Sequence, residues 1–320
     1  MAPRAFPPPP RRSAVLIAGP TASGKSDLAM ALAHAHDGVV INADSMQVYD
    51  TLRTLTARPT AADEAAVPHR LYGHVAATAH YSAGDWAREI APVLDAVWDA
   101  AHLPIIVGGT GLYFRALTEG LSPVPPIPDE IRAKWRARAS EVSAAELHRE
   151  LAAADPEMAA VLRPSDPQRM ARALEVREAT GRSLLEWHAV PGEPVLRDAA
   201  VARLVLTAER DWLYARADAR FLQMISDGEA QAEVAALRAL DPPADAPVLG
   251  ALGVAPLMAL AAGALDLDEA ISATQTATRR YIKRQLTWLR RNMNSWKTVD
   301  AQFNLSKTVA ELKFFADIRE

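Results

Sequence analysis

Apolar residues follow two rhythms along this chain. Short, largely apolar runs occupy residues 13–18, 39–42, 103–107 and 202–206, and between them apolar residues return at helical spacing. Strands buried on both faces read as continuous runs, whereas amphipathic helices repeat every three to four residues. The alternation predicts an α/β protein built on a parallel sheet, with a first helix over 27–35.

The pattern breaks at Leu121. Ser122-Pro123-Val124-Pro125-Pro126-Ile127-Pro128 carries four prolines, which remove backbone donors and fix φ. A charged, Ala-rich helical stretch runs from Asp129 to about His188, and Pro191-Gly192-Glu193-Pro194 ends it. The expected organisation is therefore a core over 13–122, a helical insertion domain over 123–198, and a second core part over 199–304 that is mostly helical from Trp212 onward. Residues 1–12, rich in Pro and Arg, are expected to be a disordered tail, and 305–320 a C-terminal tail.

Composition narrows the chemistry. The 320 residues are half apolar and 23% charged, enough to bury a sizeable core. The net charge of −4 means that any nucleic-acid partner must be met by a local basic patch. The absence of cysteine excludes disulfides, thiolate metal sites and cysteine nucleophiles. His34 and His36 lie two apart in a helical stretch and point to different faces, which argues against a histidine metal site. No apolar run approaches the roughly 18 residues of a membrane span, and the N-terminus lacks the apolar stretch of a secretory signal. No membrane partner is expected, and the cytoplasm is the expected compartment.

Gly19-Pro20-Thr21-Ala22-Ser23-Gly24-Lys25-Ser26 follows the first strand and opens the first helix. It matches G-x-x-x-x-G-K-[ST] in full, so the fold class becomes a P-loop NTPase-like core. Glycines let backbone amides approach phosphate oxygens, Lys25 would neutralise a diphosphate, and the Ser26 hydroxyl would ligate Mg²⁺. The motif specifies a di- or triphosphate and says little about the reaction. Asp44, in Asn42-Ala43-Asp44-Ser45-Met46-Gln47-Val48-Tyr49, follows the second strand, where open α/β sheets gather ligands. A carboxylate there can take a proton from a nucleophile, or simply cap a turn.

Five blocks in order resemble the tRNA dimethylallyltransferases. They are the P-loop; Asp44 to Tyr49; Gly108-Gly109-Thr110-Gly111-Leu112-Tyr113; Gln168-Arg169-Met170-Ala171-Arg172-Ala173-Leu174-Glu175; and Lys283-Arg284-Gln285-Leu286-Thr287-Trp288-Leu289-Arg290. The resemblance implies transfer of the dimethylallyl group from dimethylallyl diphosphate to N6 of adenine 37 in the anticodon stem-loop of tRNAs reading U-starting codons. By the same resemblance Asp44 is the general base, Thr21 lies close to the transferred group, and Arg216, ahead of Arg220, helps hold the diphosphate. Asp44, Ser45, Met46, Gln47, Thr110 and Arg132 would touch the RNA. The chain looks like the bacterial type, since the zinc finger of eukaryotic relatives needs cysteines; a monomer is expected. Two stretches depart from the family pattern. Leu252-Gly253-Val254-Ala255-Pro256 stands in place of an Ile-Gly-Tyr-Lys-like turn, and Leu55-Thr56-Ala57-Arg58-Pro59 in place of Gly-Thr-Ala-Lys-Pro.

Two helices fit an RNA-gripping role. Asp166-Pro167 reads as an N-cap followed by Pro at N1, and Gly181 as the stop. Of the candidate RNA-binding residues Gln168, Arg169, Met170, Ala171 and Arg172 on that helix, Gln168, Arg169 and Arg172 share one side. The stretch from Arg279 to Arg291 has six basic residues and no acidic one. Arg280, Arg284, Thr287 and Arg291 form a stripe opposite Ile282, Leu286 and Leu289, with Lys283, Arg284, Gln285 and Arg290 as the candidate RNA contacts and Trp288 assigned to core packing. Rival readings are a small-molecule kinase, an isopentenyltransferase acting on free adenylate, and an RNA-binding ATPase switch.

Overall fold

The computed structural model describes residues 12–302 and Val309. The expected tails, 1–12 and 305–320, lie almost wholly outside the described residues. In chain order the elements are β1 (Ser13–Ala18), α1 (Lys25–His36), β2 (Gly38–Asn42), α2 (Ala61–Ala66), β3 (His69–Arg70), α3 (Ala83–Asp99), β4 (Leu103–Gly108) and α4 (Gly111–Thr118). Then come α5 (Asp129–Glu141), α6 (Ala144–Ala154), α7 (Pro156–Val161), α8 (Pro167–Thr180) and α9 (Leu184–His188). The chain continues through β5 (Ala200–Thr207), α10 (Arg210–Ser226), α11 (Glu229–Ala239), α12 (Val254–Ala261), α13 (Leu267–Asn292) and β6 (Lys297–Asp300).

The six strands form one parallel sheet in the order β3-β2-β4-β1-β5-β6. β1, β2 and β4 are buried along their whole length, as continuous apolar runs require. Val15, Ile17, Val40, Ile105, Val107, Leu204 and Leu206 pack against Leu28, Ala29, Leu32 and Ala33 of α1. The four expected strands are present. β3 and β6 are additional: β3 has two residues, and only Val299 of β6 is buried, so neither has an apolar run to announce it.

The chain divides into two compact units, Thr118–Pro194 and the remainder. The helical unit has its own core, in which Leu147, Leu151, Met170, Ala173, Leu174 and Val176 meet. Its limits differ from the expected 123–198. It opens where α4 ends, and it closes at Pro194 because the amides of Val195 and Leu196 donate to the carbonyls of Ala116 (3.2 Å) and Leu117 (3.0 Å). α8 starts and stops as its sequence signals: the Asp166 carboxylate accepts from the Arg169 amide (3.2 Å), and Gly181 takes the left-handed conformation with φ 69°.

Candidate active site at the strand ends

β1 delivers the chain into Gly19, and α1 begins at Lys25. Gly24, with φ 78°, makes the turn into the helix. No side chain caps the N-terminus of α1. An uncapped helix N-terminus facing a glycine-bearing loop is suited to an anion. A Cβ on Gly19 would come within 2.8 Å of Ser23 Oγ and 3.1 Å of Leu206 Cβ. The Ser23 hydroxyl is buried with no hydrogen-bond partner in the protein, so its donor capacity is unspent. Ser26 is exposed in the first turn of α1.

Lys25 Nζ lies 3.4 Å from the Pro20 carbonyl. Burial pushes its pKa down to about 8; the Asp44 carboxylate opposes that shift and the Arg220 guanidinium adds to it. Asp44 and Arg220 thus both face the P-loop lysine. Arg216, one turn earlier on α10, donates from Nε to the Ala22 carbonyl (3.1 Å) and stacks over Trp212 at 4.7 Å. Burial, and then the neighbouring Arg216, push the Arg220 pKa down. Two adjacent guanidiniums beside a lysine make a site that favours a multiply charged anion.

Asp44 is held by backbone and amide bonds at the end of β2. Its amide donates to Asn42 Oδ1 (2.8 Å), and its Oδ1 accepts from the Met46 amide (3.0 Å). Asn42 is buried, donates to the carbonyls of Asp44 (2.9 Å) and Leu71 (3.0 Å), and accepts Trp86 Nε1 at its own carbonyl (2.9 Å). At the end of β4 the two strand ends touch: a Cβ on Gly108 would lie 2.0 Å from the Ala43 carbonyl oxygen. The Thr110 hydroxyl accepts from the Ser45 amide (2.9 Å), and Gln47 donates to the carbonyls of Thr56 (2.7 Å) and Ala57 (3.0 Å). A Cβ on Gly109 would stand 2.5 Å from Gln285 Nε2, 3.3 Å from Asp44 Oδ2 and 3.6 Å from the Gly19 carbonyl oxygen. Gly109 therefore lies where the acid, the P-loop and α13 converge. Tyr72 and Tyr281 also feel the Asp44 charge; burial first and that charge second push both phenols up, so they remain donors.

Several expected placements change. Gln285 is buried, not on the exposed side of α13. Its Oε1 accepts from the Thr21 amide (2.9 Å) and hydroxyl (3.2 Å), and its Nε2 donates to the Gly109 carbonyl (3.4 Å). The buried stripe of α13 is Ile282, Gln285 and Leu289, with Leu286 only partly covered. A polar residue spaced three and four from two core residues was the sequence signal for this role. Met170 and Ala171 are buried on α8, so their side chains are not on the exposed face with Gln168 and Arg169. Gln168 and Arg169 are exposed on the same helix. Arg172 pairs with the buried Glu175 (3.1 Å), and Arg132 pairs with Asp129 (3.0 Å). Lys283, Arg284 and Arg290 are exposed on α13, and Arg284 stacks over Tyr281 at 5.4 Å. Trp288 covers Gly111, where a Cβ would come within 2.5 Å of the indole. In the departing turn, Gly253 has φ 92° and Val254 is fully buried, while Ala255 is exposed.

A parallel sheet, a P-loop after β1 and an acid after β2, with β4 between the two strands, define a phosphate-handling α/β protein of the P-loop class. The IPP transferase family model matches residues 47–292, and the isopentenyl transferase model matches residues 12–74. The chain belongs to the IPP transferase family and is a transferase. It is 53% identical to the tRNA dimethylallyltransferase of Rhizobium johnstonii over 287 residues, covering 89% of this chain and 96% of that one. It is 49% identical to the tRNA dimethylallyltransferase of Parvibaculum lavamentivorans, over 95% and 96% of the two chains. Among solved structures, the full-length tRNA isopentenylpyrophosphate transferase of Bacillus halodurans superposes with a TM-score of 0.69 at 31% identity, over 96% of each chain. Among the described residues no helix is long and apolar enough to cross a membrane.

Proposed function

We propose that this chain transfers the dimethylallyl group of dimethylallyl diphosphate to N6 of adenine 37 in tRNAs that read U-starting codons. The observation that carries the reading is the meeting of Asp44 with the P-loop across Gly109. The N6 amine is a poor nucleophile because its lone pair is delocalised into the ring. As the bond from N6 to the allylic carbon forms, the bond from that carbon to the diphosphate oxygen breaks. The diphosphate leaves with the electron pair, and Asp44 takes the N6 proton. Lys25, Arg216 and Arg220 hold the negative charge that develops on the leaving group.

The donors around the P-loop are oxygens, with the exposed Ser26 hydroxyl at the first turn of α1, and the sequence has no cysteine. Oxygen donors fit a hard divalent cation, so Ser26 would hold Mg²⁺, which supplies charge neutralisation on the diphosphate. Adenine 37 reaches Asp44 only if it is flipped out of the anticodon stack, at a cost of roughly a few kcal/mol. Arg132, Gln168, Arg169 and Arg172 on the helical unit, and Lys283, Arg284 and Arg290 on α13, are the proposed contacts that offset this cost. Ser45, Met46, Gln47 and Thr110 would line the path of the base. The helical unit thus serves as the RNA grip, and the chain works as a monomer in the cytoplasm.

The test uses Mg²⁺, labelled dimethylallyl diphosphate and unmodified tRNA bearing A36-A37-A38. Label at A37 is expected. Label in free AMP would point instead to the adenylate-type enzyme, and no transfer to either acceptor would overturn the proposal.

A further inference from the structure

Glu175 of α8 is a buried carboxylate, next in the chain to Leu174 and Val176 of the helical unit's core. Ala171, Leu174, Glu175 and Glu178 follow one another on α8 at three- and four-residue spacing, and the two acids meet α5. Glu175 Oε2 accepts from Arg172 Nη1 at 3.1 Å, and its Oε1 lies 3.8 Å from Nε of Arg136 on α5. One carboxylate thus stands between two guanidiniums, and the group is left with a net positive charge. Replacing a buried ion pair by apolar residues is often neutral or stabilising, so packing alone does not account for an acid here. Arg132 and Arg169 pair instead with Asp129 and Asp166, which water reaches, whereas the Glu175 side chain is 6% exposed. A pair anchored on a buried carboxylate has one fixed end, and a pair in water has none. Arg172 and Arg136 nevertheless keep 42% and 35% of their side chains exposed. A guanidinium carries five N–H donors in a planar fork, and Glu175 takes Nη1 of Arg172. The outer edge of such a fork suits the parallel bonds that a phosphate accepts.

We propose that Glu175 is a positioning residue for tRNA binding: it presets Arg172 and Arg136 as a pair of guanidiniums for one stretch of the phosphate backbone. The inference rests on the reading of the helical unit as the RNA grip. Long basic side chains lose rotamer freedom when they bind, and holding them beforehand removes part of that cost. The acid therefore helps a polyanion to bind, although its own charge repels one.

The test measures affinity for unmodified tRNA bearing A36-A37-A38, with transfer kinetics alongside, on the full chain. If only charge mattered, Glu175→Gln would tighten binding, because it removes a negative charge beside a polyanion. Positioning has the opposite sign: affinity is expected to fall about fivefold, the scale of one lost hydrogen bond, with the salt slope smaller by about 1 and kcat at saturating tRNA within about twofold. With Arg136 and Arg172 both changed to Ala, the same substitution is expected to add less than about twofold, since the groups it would hold are gone. If melting shows Glu175→Gln to be unfolded, Arg172→Lys carries the test. It keeps the charge without the fork, and binding should weaken by a similar factor. Unchanged or tighter binding, a loss confined to kcat, or a full loss in the double-alanine background would overturn the inference. Failure of the unaltered chain to bind tRNA would instead overturn the reading of the helical unit on which it rests.

Discussion

At the ends of β1, β2 and β4, the candidate residues are fixed by hydrogen bonds: Asp44 by the Asn42 side chain and the Met46 amide, Thr21 by the Gln285 side chain, with Gly19, Gly108 and Gly109 leaving no room for a Cβ nearby. On α5 and α8 of the helical unit they ride on helix surfaces, where Arg132 and Arg169 meet only near neighbours such as Asp129 and Asp166. The first arrangement is preorganised, and a small shift in one strand end moves several groups at once. The second is modular, and each side chain can be lost without disturbing the rest. Single changes should therefore have steep effects at the strand ends and shallow, separable ones on the helices.

The largest effect is expected from Lys25→Ala. It removes a preorganised cation from the leaving diphosphate and should lower kcat/KM by about 10²–10³; transfer kinetics at saturating tRNA check this. Gly108→Ala places a methyl group on the Ala43 backbone and should cost about 3 kcal/mol in urea unfolding. A stability change within about 0.5 kcal/mol of wild type would show that the strand ends are not locked together. The pH dependence of diphosphate binding comes next. Lys25, with its pKa near 8, is charged at neutral pH and loses its proton as pH rises through that value. Affinity should thus be nearly flat below pH 7 and fall by up to about tenfold per unit above 8, read by calorimetric titration. The smallest effect belongs to the helices: Arg169→Ala should weaken tRNA binding modestly, reduce the salt slope by about 1 and leave melting unchanged.

The same contrast decides what the sequence reveals. β1, β2 and β4 are legible because burial on both faces demands continuous apolar runs, β5 because Leu204, Val205 and Leu206 are buried together, and the P-loop because phosphate binding fixes residue types at fixed spacing. α8 is legible because its cap and stop are local chemistry at Asp166, Pro167 and Gly181. β3 and β6 escape because a short edge strand carries no apolar signature. Met170 and Ala171 lie inside a motif whose polar members face outward, so the block as a whole conceals which positions are core. Gln285 escapes for a related reason: it stands among basic residues, while its partners Thr21 and Gly109 lie far away in sequence.

The most direct measurement is single-turnover transfer by Asp44→Asn, with tRNA affinity measured in parallel. The amide keeps the shape of the side chain and cannot take a proton. The expected result is a rate lowered by about 10²–10⁴ with tRNA affinity retained. A rate within a few-fold of wild type, or a loss of affinity as large as the loss of rate, would contradict the assignment of Asp44 as the base at a preorganised strand-end site.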